Sequence, residues 1–282
     1  MILIADSGST KTDWILWDKM KMQSSYHQSK GLNPFFVEID EIAETLLSTF
    51  TKRELDAIDK IYFYGAGCGR SESKKHIKDG LSMACQDAHI EVEHDLYVAA
   101  RSLCGKEAGV ACILGTGSNA CVYDGRKIIK EGVSFGYIMG DEGSGNHLGR
   151  QLLKAIYTKK APPHIIQSFE QSYPHLNFSK LLDHLYHLPA PNRFLATFSP
   201  FIRAHRNDPF FREMIAKSFH EFLDYFVVEF LKEYPYKVHF QGSIAWNYQS
   251  NLIDVLKKRE IDFGHIIQHP IQQLFEYHKM ME

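Results

Sequence analysis

The chain has 282 residues, 44% of them apolar and 23% charged, with a formal net charge of -2. That length is about twice a comfortable single domain, and the composition is that of an ordinary globular protein. The near-neutral charge excludes an extended basic face for nucleic acid or anionic membrane, and no apolar run approaches the ~18 residues of a membrane span.

Residues 1–5 (MILIA) lack the charged flank and length of a signal peptide and read as a first strand, so the expected location is the cytoplasm. Asp6-Ser7-Gly8-Ser9-Thr10-Lys11-Thr12 breaks that strand, and the β-prone run 13–18 returns from it, which is a hairpin signal. Helical spacing follows over 38–50, a buried strand over 60–64, and helical spacing again over 71–87. An alternating strand at 89–93 then leads into a helix near 96–104.

The charged, glycine-containing stretch 105–109 divides the chain into expected domains 1–106 and 107–269. The same grammar then restarts. Strand 110–114, the turn Gly115-Thr116-Gly117-Ser118-Asn119 and strand 120–124 form a second hairpin, and Asp124-Gly125 turns into a third strand at 127–130. Helices are expected over about 143–158, 164–172, 178–187 and 209–232, with loops at 161–163 and 189–191. A strand at 237–240 stops at Gly242, a helix runs over 243–259, and a short strand near 266–268 precedes a closing helix over 270–281. That last helix is expected to pack on the first domain. Each half is thus a β-meander followed by alternating helix and strand, an α/β plan used twice.

Five cysteines without any C-x-x-C pair fit neither a disulfide framework nor a simple zinc site. If residues 116 and 117 form the turn, Cys112 and Cys121 face each other across the hairpin as small buried side chains. The fifteen histidines show no helix-spaced metal pattern and read as surface and packing residues.

Two Gly/Ser/Thr turns, each behind an apolar strand, can present backbone N–H groups and hydroxyls to phosphate oxygens. Neither is a P-loop or a dinucleotide fingerprint, and two hairpins gripping one polyphosphate between two domains is the better geometry. Asp6 in the first turn would be repelled by phosphate unless a cation lies between them, which suggests Mg²⁺ held through water; turn capping is its bland alternative. Lys11 either reaches phosphate oxygens or is solvated. Asp95 lies at the carboxyl end of a strand, where an open α/β sheet offers catalytic groups and where Asp also serves as a helix cap. Residues 135–149 are glycine-dense around Asp141-Glu142. They read either as a loop whose acids complement a helix dipole or as a cleft wall in which Asp141 accepts hydrogen bonds from sugar hydroxyls. Gly242-Ser243 is a strand-to-helix turn suited to backbone contact with a nucleoside.

Taken together, DSGSTKTDW (6–14), GTGSN (115–119), HDLYVAA (94–100), MGDEGSG (139–145) and QGSIAW (241–246) make the chain similar to the actin–hexokinase–Hsp70 superfamily of two-domain ATPases. Within it, the chain resembles the N-acetylglucosamine kinases of the BadF/BadG/BcrA/BcrD ATPase group over nearly its whole length. The resemblance implies two ribonuclease H-like, actin-like ATPase domains around a cleft that binds ATP and Mg²⁺. It puts the catalytic base at Asp95. Asp6, Gly8, Ser9, Thr10, Lys11, Gly115, Thr116 and Gly117 would surround phosphates and metal, with Gly242 and Ser243 at the adenosine. Asn33 and Asp141 match sugar-contacting positions, and Ser118 and Asn119 fall to either ligand. Phe135-Gly136 replaces a Trp-Gly of the amino-sugar kinases, and Pro34-Phe35-Phe36 also departs from their pattern, so the exact sugar stays open.

The implied function is an ATP-dependent kinase acting on a hydroxyl of an amino sugar, N-acetylglucosamine first. Alternatives are an ATPase activator that shares an iron–sulfur cluster with a partner enzyme, or a sugar sensor without turnover. The expected partner is a small sugar, with neither nucleic acid nor membrane, and a homodimer is left open.

Overall fold

The computed structural model describes residues 1–8 and 11–282; Ser9 and Thr10 lie outside the described residues. Two compact units divide the chain, one made of Met1–Gly105 with Pro270–Glu282, the other of Lys106–His269.

In the first unit, β1 (Ile2–Ser7), β2 (Lys11–Asp18) and β3 (Gln23–Lys30) form an antiparallel meander. On its other side β1 pairs in parallel with β4 (Lys60–Gly65), which pairs with β5 (His89–His94), giving the order β3-β2-β1-β4-β5. Central β1 is buried on both faces, which is why its sequence is a continuous apolar run rather than an alternating one.

Its residues nonetheless sort by parity. Leu3 and Ala5 join Trp14, Ile61 and Phe63 under helices α1 (Ile39–Thr49) and α3 (Ser71–Ala84), while the four-residue α2 (Lys52–Leu55) follows α1. Ile2 and Ile4 join Ile15, Trp17 and Tyr64 under α4 (Asp95–Cys104) and the closing helix Ile271–Met281. Each large side chain so buried contributes about 1.5–3 kcal/mol.

Local signals set the helix starts. Glu38 with Glu41, and Thr51 with Glu54, form capping boxes at α1 and α2. Strand β3 was not expected. It is an almost wholly polar edge strand, mostly exposed, so it carries no period-two apolar pattern to read.

The second unit repeats the topology. Strands β6 (Ala108–Leu114), β7 (Ser118–Asp124) and β8 (Ile128–Glu131) make the meander. Parallel β9 (Val238–Gln241) and β10 (Phe263–Ile267) complete the sheet in the order β10-β9-β6-β7-β8. The helices are α5 (Gly136–Met139), α6 (Gly145–Tyr157), α7 (Pro163–Ser172), α8 (Phe178–Tyr186), α9 (Pro191–Ala196), α10 (Ser199–Ala204) and α11 (Pro209–Phe222). After a π-helical turn (Leu223–Val227) come α12 (Val228–Leu231), α13 (Ser243–Asn247) and α14 (Gln249–Lys258). The expected single helix over 209–232 is therefore interrupted by a π-turn, and the expected helix over 243–259 breaks at Tyr248. Short α9 and α10 were not expected.

The register corrects one expectation. Cys112 lies opposite Ala120, and Cys121 opposite Ala111, so alternation along the strands sends the two cysteines to opposite faces of the sheet. All five cysteines are buried. No helix of the described residues is long and apolar enough to cross a membrane.

Candidate functional site

In the first unit the chemistry gathers at the carboxyl ends of β1 and β5. Asp6 stands directly across from Asp13 of β2 and beside Tyr64 of β4 in the ladder. Asp13 is well neutralised: Lys11 forms an ion pair with it at 2.8 Å, and Tyr26 and Gln28 donate to it. Burial alone would raise its pKa, but these partners hold it below the usual carboxylate range. Asp6 has the opposite fate. Burial first, then the negative charges of Asp13 and Asp95, push its pKa up to about 7, against the weaker pull of Lys11.

Asp95 is exposed and opens α4 as its first residue; the cap position is His94, whose side chain makes no capping bond. The helix thus starts one residue earlier than expected, and the carboxylate sits in the first turn, where the helix dipole favours a negative charge. Its charge also reaches the buried Cys68 thiol, whose pKa is pushed up to about 12, chiefly by burial.

Ser7 and Thr12 brace this turn from beneath. Their hydroxyls are 2.8 Å apart, Ser7 Oγ accepts the Leu32 N–H at 3.0 Å, and Thr12 Oγ1 donates to the Lys30 carbonyl. The bond to Leu32 fixes the loop that carries Asn33, whose buried Oδ1 accepts the Phe35 N–H at 3.0 Å. Gly8 closes the turn by donating to the Lys11 carbonyl at 2.9 Å. Ser9 and Thr10, expected at the phosphates, fall outside the described residues.

In the second unit the turn Gly115–Ser118 is held by the loop and helix that follow the meander. Gly145 N–H donates to the Gly115 carbonyl at 2.8 Å and Asn146 N–H to the Thr116 carbonyl at 3.0 Å, while His147 N–H is capped by Ser144 Oγ. The first amides of α6 are therefore consumed internally and do not form an anion site. Those of Thr116 and Gly117 have no protein acceptor among the described residues, and Thr116 is exposed.

Asp141, a non-glycine residue at φ +62°, is 8% exposed and accepts from Ser118 N–H at 3.1 Å and Asn146 Nδ2 at 2.7 Å. A Cβ on Gly117 would lie 2.9 Å from its Oδ1, so only glycine allows the approach. Beside Asp141, the buried Ser118 Oγ and Asn146 Oδ1 have no protein partner. Asn119 is half-buried, with Oδ1 on the Ala120 N–H. At the end of β9, Gly242 at φ +113° comes so close to β6 that a Cβ would sit 2.4 Å from the Leu114 carbonyl oxygen; Ser243 beyond it is exposed.

Sequence reasoning missed Asp13, Ser7, Thr12 and Asn146. Asp13 was readable once the hairpin register was fixed, since it pairs with Asp6. Asn146 bonds both within its own loop, to Asp141, and to the distant Thr116 carbonyl, and the second partner had no local signal.

A Mg²⁺ ion fits the first unit. Asp6 is a hard oxygen donor surrounded by two further carboxylates, and Lys11 is largely committed to Asp13. Among the described residues no group of three or more His, Cys, Asp or Glu side chains could hold a metal, so water and phosphate oxygens would have to complete its shell.

Comparison with solved structures agrees with this architecture. A Porphyromonas gingivalis protein, provisionally named an N-acetylglucosamine kinase, is 39% identical, with a TM-score of 0.91 over 99% of this chain and 98% of its own. A similarly named Chromobacterium violaceum protein is 18% identical at TM-score 0.73, covering 98% of each chain. The ROK hexokinase of Thermus thermophilus, 13% identical at TM-score 0.58 over 100% and 99%, shares the fold. No curated protein matches the chain. Residues 5–275 match one family description throughout, and the chain belongs to the BadF/BadG/BcrA/BcrD ATPase family with an actin-like, two-domain α/β fold.

Proposed function

We propose that the protein is an ATP-dependent sugar kinase that transfers the γ-phosphoryl group to a hydroxyl of an amino sugar, N-acetylglucosamine being the first candidate. The observation that carries this reading is the placement of Asp95: an exposed carboxylate at a strand's carboxyl end, close enough to Asp6 to raise its pKa.

Phosphoryl transfer asks little covalent help of a protein; it needs in-line positioning, offset of charge, and a base for the attacking hydroxyl. In this reading Asp95 accepts the hydroxyl proton. The turn at Gly8, Ser9, Thr10 and Lys11 and the free amides of Thr116 and Gly117 beside Gly115 hold phosphate oxygens, while Gly242 and Ser243 border the nucleoside. Asp6 would hold Mg²⁺ through water, and the ion when bound offsets phosphate charge. Asn33, Ser118, Asn119 and Asp141 face the sugar, and the unpartnered Ser118 Oγ is suited to a sugar hydroxyl. The name of the Porphyromonas gingivalis relative supports the same acceptor.

The test is ADP release in a coupled assay against a panel of hexoses and hexosamines. Release that depends on a hexosamine is expected. A rate no higher with any sugar than without one would overturn the kinase reading.

A further inference from the structure

Between α6 and α11 lies a buried polar chain that the proposed chemistry does not use. Ser218 Oγ accepts the N–H of Gly143 at 3.1 Å and stands 2.8 Å from His147 Nδ1; His147 Nε2 faces Glu221 Oε2 at 3.4 Å. Ser218 is 0% exposed and His147 6%. Helix geometry assembles the group, with Ser218 and Glu221 one turn apart on α11 and His147 and Gln151 one turn apart on α6.

The order Ser–His–Glu is that of a hydrolase triad, but the chemistry differs. Ser218 has no access to a substrate, and its oxygen is already engaged by Gly143. The hydrogen bonds tie the group into one unit instead. Ser218 Oγ accepts the Gly143 N–H and shares a second bond with His147 Nδ1, while Gln151 Nε2, 3.1 Å away, and Glu221 both face His147 Nε2. Burial and the nearby cations Arg150 and Lys217 keep the ring neutral.

Gly143 sits at φ +77° in the glycine-rich loop, two residues after Asp141, itself at φ +62°. Asp141, a non-glycine residue in the left-handed region, stores strain that neighbouring bonds must hold, whereas glycine adopts that conformation freely. Asp141 grips the 115–118 turn on one side; Ser218 grips Gly143 on the other.

We infer that Ser218 and His147 are positioning residues that clamp the glycine-rich loop through Gly143 and so fix Asp141 for the acceptor sugar. This rests on the kinase reading for its consequence, though not for the clamp itself.

The experiment compares the parent with Ser218→Ala, His147→Phe and His147→Asn, the last retaining a hydrogen-bonding amide close to the Nδ1 position. Amide hydrogen exchange of a peptide spanning 139–146 reads the clamp, and KM against kcat for the sugar reads its use. Expected are faster exchange and a roughly tenfold higher KM with little change in kcat for Ser218→Ala and His147→Phe, the scale of one lost hydrogen bond. His147→Asn should restore most of both. Unchanged exchange in Ser218→Ala would overturn the clamp. Faster exchange with unaltered KM, or equal loss in His147→Asn and His147→Phe, would overturn the positioning role. A parent without any sugar-dependent turnover would sink the kinase reading, while the exchange result would still decide the clamp.

Discussion

The two units share a sheet order, yet they differ in how the turn after the first strand is charged and held. In the first unit, the charges of Asp13 and Asp95 bear on Asp6. Gly8 closes the turn beside it onto Lys11, and Ser7 and Thr12 tie that turn to the backbone of Leu32 and Lys30. In the second, the equivalent turn is neutral, and the nearby carboxylate, Asp141, accepts from Ser118 N–H and Asn146 Nδ2. The difference teaches a division of labour: acidic groups suit a cation and a proton, whereas exposed amides of a braced, neutral turn suit anionic oxygens. The repeated topology supplies the scaffold, and the side chains around each turn set its chemistry.

The sharpest way to break this comparison is Asp95→Asn. If Asp95 is the base proposed above, the change should lower kcat by roughly 10²–10⁴ while ATP binding survives, as measured by steady-state kinetics alongside nucleotide titration. Near-normal turnover would remove Asp95 from the chemistry.

A smaller effect separates the glycines at matching strand ends. On Gly242 a Cβ meets the Leu114 carbonyl oxygen at 2.4 Å with φ at +113°, whereas on Gly65 it meets the Phe63 ring and Cys68 Sγ, side chains that can move. Gly242→Ala should therefore destabilise by about 1–3 kcal/mol, and Gly65→Ala by less, in chemical denaturation. Equal losses would show that the two strand ends are held alike.

The smallest effect is a pH dependence. Burial keeps His278 in the first unit at a pKa of about 3, and His147 and His239 in the second at about 4, against an ordinary 6.5. The unfolded chain takes up protons at these sites as pH falls below 6.5, and the folded chain refuses them. Stability is therefore unaffected by these sites above 6.5 and declines as pH falls, down to about pH 4 for His147 and His239 and about pH 3 for His278. His278→Gln should flatten the acid limb of melting temperature against pH by about one proton's worth, leaving the two histidines of the second unit to supply the rest. An unchanged limb would mean His278 is not held neutral.

Much of this was legible because it is local. Both hairpins announce themselves by an apolar strand, a Gly/Ser/Thr turn and a second strand, and the starts of α6 and the closing helix lie within a residue or two of expectation. What was not legible depends on partners far along the chain. Polar β3 has no apolar face to give it a period; Cys112 and Cys121 needed the ladder register; Asn146 and Ser218 each find a partner in another segment. The sequence does not tell the surface histidines from the packing ones; His147 and His278 are buried and hydrogen-bonded, His278 to Tyr64 at 2.7 Å. A histidine's burial is decided by what packs over it, which composition does not record.

The closing helix bears on the order in which the protein is completed. Ile2, Ile4, Ile15 and Trp17 find part of their cover in Ile271, Leu274 and Phe275. On the ribosome, the strands of the first unit emerge early, but one face of their sheet stays partly bare until all of residues 106–269 has been made. The second unit, being contiguous, has its whole core in hand sooner. Residues 270–282 are made after all of residues 106–269, so the core residues of the second unit are complete in the nascent chain before those of the first.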